Sequence, residues 1–317
     1  MLKRFNQICA RFFWFGKDKQ AKGARVGWRY ICHPKAEGGL GLKESVSWNK
    51  ACIMQNLWSI ILKTGSIWIA WLNVYVLKGR NIWHIPISQS YSWNMRKILQ
   101  LRSLAQRFVE WKDGAEIWKW QGSKYSAAAV WNEIRPKQEK QVWHRFLWSS
   151  LSIPKHVYIT WMAILNRLPT VDRLASWGMA VDELCCLCQQ ENESSDHLFF
   201  GCDYAKTIWK RIMQLCELRR EVGSWEEALK WAILKLKGKA LISILLRVGW
   251  SAFIYQVWRE RNNRLFKQQE EAKEQIIEKI KEVVRHRTAK LRNVAIDPVN
   301  MAFHQSWGLF ESIFDNT

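Results

Sequence analysis

At 317 residues with 48% hydrophobic content, the chain is too long and too apolar to be a disordered tail, and its length argues for roughly two domains. Its 49 Lys and Arg against 28 Asp and Glu leave a net charge of +21, which points to polyanionic partners, above all RNA or DNA. The 8 Cys form no evenly spaced disulfide framework and Met1–Gly16 carries no cleavage-site pattern, so an intracellular, reducing compartment is expected, nucleus or cytoplasm.

Residues 1–35 hold Lys3, Arg4, Arg11, Lys17, Lys19, Lys22, Arg25, Arg29 and Lys35 against one acid, Asp18, with Phe12–Phe15 between them. Basic groups interleaved with aromatics suit backbone contact and base stacking, although the rings equally suit a first helix docking into a core. Most of the 22 Trp are expected as core anchors. Glu37–Leu42, EGGLGL, reads as a turn, since it lacks the patterns that cradle phosphate. Ser47 fits an N-cap for a helix over 48–63, with Ala51, Met54, Leu57, Trp58 and Ile61 at helical spacing. A second apolar segment follows at Ile67–Leu77, and Trp93–Trp111 predicts one or two short helices. Asp113-Gly114 is a turn signal, and the hairpin candidate is Glu116–Gln121, a Gly122-Ser123 turn, then Lys124–Ser126.

Helices are next expected at Ala127–Ile134, at Val142–Ser150, from Pro154 to Leu168 and at Val171–Trp177. His156 reads as a core or surface histidine rather than a ligand. Further helices are expected at Tyr204–Leu215, Trp225–Leu236 and Ala240–Phe266. Arg247 near the middle of the apolar run Ala240–Trp258 argues for a buried helix and no membrane span. Glu270–Leu291 is amphipathic, and the tail 297–317 is sparse in charge and expected to pack loosely.

The chemistry concentrates in LCCLCQQENESSDHLFFGC, which sets Cys185, Cys188, His197 and Cys202 as C-x2-C-x8-H-x4-C. A Cys3His set of this kind suits one tetrahedral zinc ion and leaves no open position for catalytic water. Buried thiols without metal, or a redox pair, are the alternatives, and Cys186 competes with Cys185 as first ligand. Ser194 or Ser195 fits the cap of a short helix carrying His197. Cys202 would lie about 140° further around an α-helix, so a break at Gly201 is expected to turn it back.

Several stretches resemble the zinc-binding domain downstream of the polymerase in plant LINE-type, non-LTR retrotransposon reverse transcriptases. They are the Lys155/His156–Trp161 helix, NRLPT-x-DRL at Asn166–Leu174, CxLC at Cys185–Cys188, DHLFF-x-C at Asp196–Cys202 and VWRERNNRLF at Val257–Phe266. FFWFG at Phe12–Gly16 and VGWRYICHPKAEGGLGL at Val26–Leu42 resemble the segment before it, so the likeness reaches over most of residues 5–266. It implies a post-polymerase helical segment with a hairpin at 1–140, the zinc-binding domain at 141–266, and an amphipathic helix with tail at 267–317. There is no Y-x-D-D motif and no acidic pair placed for two magnesium ions, so no catalytic residue and no enzyme activity is expected. The reading is a mainly α fold, a helical array with one small β-hairpin and a Cys3His zinc-binding turn. Its expected function is that of a zinc-binding, nucleic-acid-binding accessory region, present as a fragment without the polymerase. Lys17, Lys19, Lys22, Arg25, Arg259, Arg261 and Arg264 are the candidate contacts to RNA or DNA. A protein-interaction module with a purely structural zinc site is the rival.

Overall fold

The structure, a computed structural model, describes residues 1–16, 24–112, 115–119, 124–221 and 223–315. It divides into two compact units: Met1–Pro34 with Gly39–Glu139, and Lys35–Gly38 with Lys140–Thr317. The fold is mainly helical, and among the described residues the one sheet is a two-stranded hairpin.

In the first unit, α1 (Leu2–Phe15) buries no residue and ends at Gly16, whose φ of 65° suits glycine. It is tied to the start of the next long helix by polar contacts, Asn6 Nδ2 donating to Glu44 (2.7 Å) and Ser45 Oγ to Asn6 (2.7 Å). That helix, α2 (Ser45–Ile61), starts earlier than the predicted Ser47 cap. The Glu44 carboxylate accepts from the amides of Val46 and Ser47 and caps the helix itself. Ala51, Met54, Leu57 and Ile60 are its buried face, packed with Ile98 and Leu99 of α3 (Trp93–Gln100) and Val130 and Trp131 of α4 (Ala127–Ile134). Helices α3 and α4 are capped by the hydroxyls of Ser92 and Ser126.

The hairpin is displaced from its expected position. Strand β1 (Val109–Lys112) pairs antiparallel with β2 (Ala115–Trp118), in the register Val109 with Trp118 and Lys112 with Ala115. The first half of the segment expected as first strand, 116–118, is therefore in the second, and 109–111 is strand rather than helix. Asp-Gly between alternating apolar residues is a stronger hairpin signal than Gly-Ser. Lys124–Ser126 forms no strand, and the expected Gly122-Ser123 turn lies outside the described residues.

The second unit is organised around α9 (Leu241–Lys267). Before it come α5 (Pro154–Ile164), α6 (Val171–Ser176), α7 (Asp203–Gln214) and α8 (Trp225–Lys235); after it come α10 (Lys273–Thr288) and α11 (Pro298–Trp307). The expected helix Val142–Ser150 is only one turn, His144–Leu147. Helix α9 packs against α5, α7, α10 and α11. It is long and apolar enough to cross a bilayer, but 78% of the stretch that qualifies is buried inside the protein, as befits a core helix. Its Trp250 and Phe253 meet Phe200 and Trp209 at ring-centroid distances of 5.1–5.7 Å. The tail does not pack loosely. Asp297 caps α11 by accepting from the Asn300 amide, Pro298 opens the helix, and Phe303, Trp307, Leu309 and Ile313 are buried. That start signal makes α11 a docked helix, with Trp307 lying on the α9 backbone at Gly249.

Candidate metal centre

Two local structures bring the four donors together. The first is a tight turn. Leu184 and Asn192 form an antiparallel bridge, the Cys185 amide donates to the Glu191 carbonyl (2.8 Å), and the Glu193 amide donates to the Glu183 carbonyl (2.8 Å). Gln189, at φ 55°, reverses the chain within this small loop. The amides of Leu187 and Cys188 hydrogen-bond to the Cys185 sulfur, an arrangement that favours a thiolate.

The second is a single wide helical turn, His197–Gly201, with the i→i+5 bonding of a π-helix. The Ser194 hydroxyl accepts from the His197 amide (3.1 Å) and caps its start. The chain leaves helical geometry at Cys202, which at φ −67° and ψ 128° is the N-cap of α7. The expected break is thus one residue later than Gly201. Because the turn is wide, Cys202 lies only a little beyond one full revolution from His197 and comes back to the same side. Gly201 packs on the imidazole, where a Cβ would come within 3.2 Å of Nδ1. The amides of Tyr204 and Ala205 donate to the Cys202 sulfur, at the positive end of α7.

The Sγ atoms of Cys185, Cys188 and Cys202 and one ring nitrogen of His197 all lie within 4.8 Å of one another. Cys185 and Cys202 sulfurs are 4.0 Å apart, and Cys188 Sγ is 3.3 Å from His197 Nε2. A tetrahedral zinc ion with its usual bond lengths needs about 3.8 Å between two sulfurs and about 3.6 Å between sulfur and nitrogen. The donors therefore fit zinc in number, chemistry and spacing. The contact between the Cys185 and Cys202 sulfurs pushes the Cys185 thiol up, reinforced by burial, and draws Cys202 down. Such a pair shares a proton that a cation would displace.

Cys186 is turned out of the cluster. Its sulfur faces the Arg261 carbonyl at 3.7 Å, and burial pushes its thiol up to about 12. The geometry makes Cys185 the first donor. His156, for its part, is buried and stacked on Tyr255 at 4.2 Å.

Around the donors stands a polar shell that the spacing alone does not reveal. Glu191 Oε2 lies 3.0 Å from His197 Nδ1, which sets Nδ1 as the protonated nitrogen and aims the Nε2 lone pair at the sulfurs. Glu193 is wholly buried. It accepts from the Val171 amide at the start of α6 (2.9 Å) and takes a two-pronged ion pair from Arg261, with Nη2 at 2.7 Å. Arg264 donates to the carbonyls of Cys186 and Leu187 and pairs with Glu260 at 2.8 Å. Arg259 pairs with Glu271 at 2.8 Å. The arginines read from sequence as nucleic-acid contacts are thus engaged with carboxylates, and two of them hold the metal turn against α9. Arg261, 1% exposed, has no surface to offer a phosphate. Of the N-terminal candidates, Arg25 is exposed, while Lys17, Lys19 and Lys22 lie outside the described residues.

Adjacent acids do occur in the chain, at Asp182-Glu183, Glu226-Glu227 and Glu270-Glu271, but Glu183 bonds Asn192, Glu226 pairs with Lys230, and Glu271 pairs with Arg259 and Lys279.

The comparisons agree with this geometry. Residues 125–209 match the protein family described as zinc-binding in reverse transcriptase, a shorter stretch than the likeness over 5–266. A protein of Arabidopsis thaliana named as a ribonuclease H protein is 32% identical over 126 residues, which is 38% of this chain and 20% of that protein. The chain thus spans about a fifth of that relative's length. No solved structure matches at a significant level. All four donors fall inside the stretch, residues 125–209, that matches the family described as zinc-binding in reverse transcriptase.

Proposed function

We propose that the chain binds one structural zinc ion through Cys185, Cys188, His197 and Cys202, and that the domain so held serves as a nucleic-acid-binding accessory region of a retroelement reverse transcriptase. The observation that carries the zinc assignment is the closed Cys3His cluster inside the matched family stretch. Zinc would supply cross-linking only, pinning the turn at Cys185–Cys188 to the start of α7, because four protein donors leave no open position. Nucleic-acid binding is supported by the net charge of +21 and the basic excess of residues 1–35. The named activity of the Arabidopsis relative suggests an element that also processes RNA. We assign no ribonuclease or polymerase chemistry to this chain.

The experiment is a salt series with single-stranded RNA. Affinity should fall steeply between about 50 and 200 mM salt, and replacing Lys17, Lys19, Lys22 and Arg25 together by Ala should flatten the slope by about 0.7 for each phosphate no longer neutralised. An affinity that ignores salt contradicts the reading.

One observation favours a protein-interaction module instead: Ile67, Trp71, Val74 and Tyr75 are half or more exposed on one short helical segment. Retained partner capture by the zinc-loaded protein, combined with no RNA affinity, would decide for that reading.

A further inference from the structure

Three of the four arginines of α9, Arg259, Arg261 and Arg264, have carboxylate partners. The fourth, Arg247, does not. Its Nε is buried without a hydrogen-bond acceptor. It lines a cleft of about 430 Å³ bounded by the turn Ser149–Leu151, the first turns of α9 and the residues just past α10. That volume falls within the range of small-ligand sites, about 300–1,000 Å³.

The lining of this cleft is one-sided in charge. Lys239, Arg247 and Lys290 all border it, no acid does, and none of the three has an ion-pair partner among the described residues. Desolvation of the Arg247 guanidinium with no compensating carboxylate draws its pKa below the ordinary value, a cost that a bound anion would offset. One wall is fixed in place: Arg287 donates to the carbonyls of Ser150, Leu151 and Ser152, at 2.6 Å for Leu151, and so occupies oxygens that would otherwise repel an anion. Ser150 adds a hydroxyl to the rim, while the Ser149 hydroxyl is engaged with Ser152 Oγ at 2.8 Å. Helix α9 begins next to Lys239 and carries no side-chain cap, leaving the positive end of a 27-residue helix at the same place.

We propose that this cleft is a phosphate site, with Arg247 at its base and Lys239 and Lys290 at its mouth, and that it receives a phosphate group of a nucleic-acid backbone. The assignment of the phosphate to nucleic acid rests on the function proposed above; the phosphate site itself does not. Arg247 supplies a half-buried guanidinium donor, the exposed lysines supply mobile charge, and the opening admits a phosphate without base recognition.

The test uses the zinc-loaded full chain, as wild type, Arg247→Gln and the double variant Lys239→Ala/Lys290→Ala. The double variant changes exposed side chains only, so it keeps the test valid if Arg247→Gln disturbs folding. The first readout is affinity for a single-stranded RNA 20-mer across a salt series; the second is the rise in melting temperature caused by inorganic phosphate over chloride at equal ionic strength. The proposal expects each variant to weaken RNA binding about tenfold, to reduce the salt slope by about 0.7 or more, and to abolish the phosphate-specific rise. RNA affinity and slope unchanged in a folded double variant overturn the nucleic-acid assignment. If wild type binds no RNA but shows a phosphate-specific rise that both variants abolish, the function proposed above fails while the cleft stands as a site for free phosphate. No phosphate-specific rise in wild type, with variants that bind RNA normally, overturns the site altogether.

Discussion

Arg261 and Glu193, 68 residues apart in sequence, form a wholly buried two-pronged ion pair with Nη2–Oε1 at 2.7 Å. The pair joins the loop that carries the metal donors to the helix at the centre of the second unit, and Glu193 also holds the Val171 amide at the start of α6. A buried pair adds little net stability against an apolar replacement, but breaking it strands a charge at a cost of about 3–5 kcal/mol. Arg261→Met should therefore lower the free energy of unfolding by that amount in urea melts of the zinc-loaded protein. Adding Glu193→Leu should recover part of the deficit, short of all of it, because the Val171 N–H is then without its acceptor. A drop below about 1 kcal/mol in Arg261→Met would show that the pair does not organise the loop.

Glu191 orients the His197 imidazole through Nδ1, and its own carboxylate is largely exposed, so its removal should spare the fold. Glu191→Gln should weaken zinc binding about tenfold, the lower end of the range for partners that orient a ligand. Competition with a chromogenic chelator measures this. Unchanged affinity would make the contact incidental.

The buried His156 makes stability pH-dependent. Burial, then the charge of Lys155, draws its pKa from 6.5 down to about 4. The unfolded chain binds a proton below pH 6.5 that the folded chain refuses until about pH 4. As pH falls across that window, folding is weakened by about 1.4 kcal/mol per pH unit from this group. His156→Gln should remove this slope while leaving stability near pH 8 less affected. Zinc release also occurs in acid, so the comparison of variant with wild type carries the result. Parallel stability profiles for the two would contradict the assignment.

Template-directed nucleotide incorporation by the purified chain should be undetectable, since no Y-x-D-D motif is present. Incorporation that survives stringent purification and follows the chain through a sizing column would refute this.

What is legible in the sequence is local. The Cys3His spacing, a serine cap at Ser194 or Ser195 and the helical periods around Met54 and Leu57 need only a few neighbouring residues to be read. Long-range pairing is not legible. A charge-rich stretch such as RERNNR reads as a solvated or phosphate-binding face, because nothing local says that Glu193 waits 68 residues upstream. The hairpin sits earlier than expected because Ala115–Trp118 pairs with the preceding stretch Val109–Lys112 and not with the one that follows, a choice of partner that no local pattern reveals. The tail is ordered because Asp297-Pro298 is a helix start, a signal that low charge in the same stretch obscures. The π turn escapes any reading from spacing, since an α-helical count separates His197 from Cys202 by about 140°.

Zinc content tests the central claim most directly. Metal analysis of the purified chain should give about one zinc per molecule, held by three sulfurs and one nitrogen in X-ray absorption. Cys188→Ser should release the metal and loosen the loop and α7, because binding and folding are coupled, while Cys186→Ser, whose sulfur faces the Arg261 carbonyl, should keep it. Full zinc occupancy in Cys188→Ser, or absence of zinc from Cys186→Ser, would contradict the assigned centre.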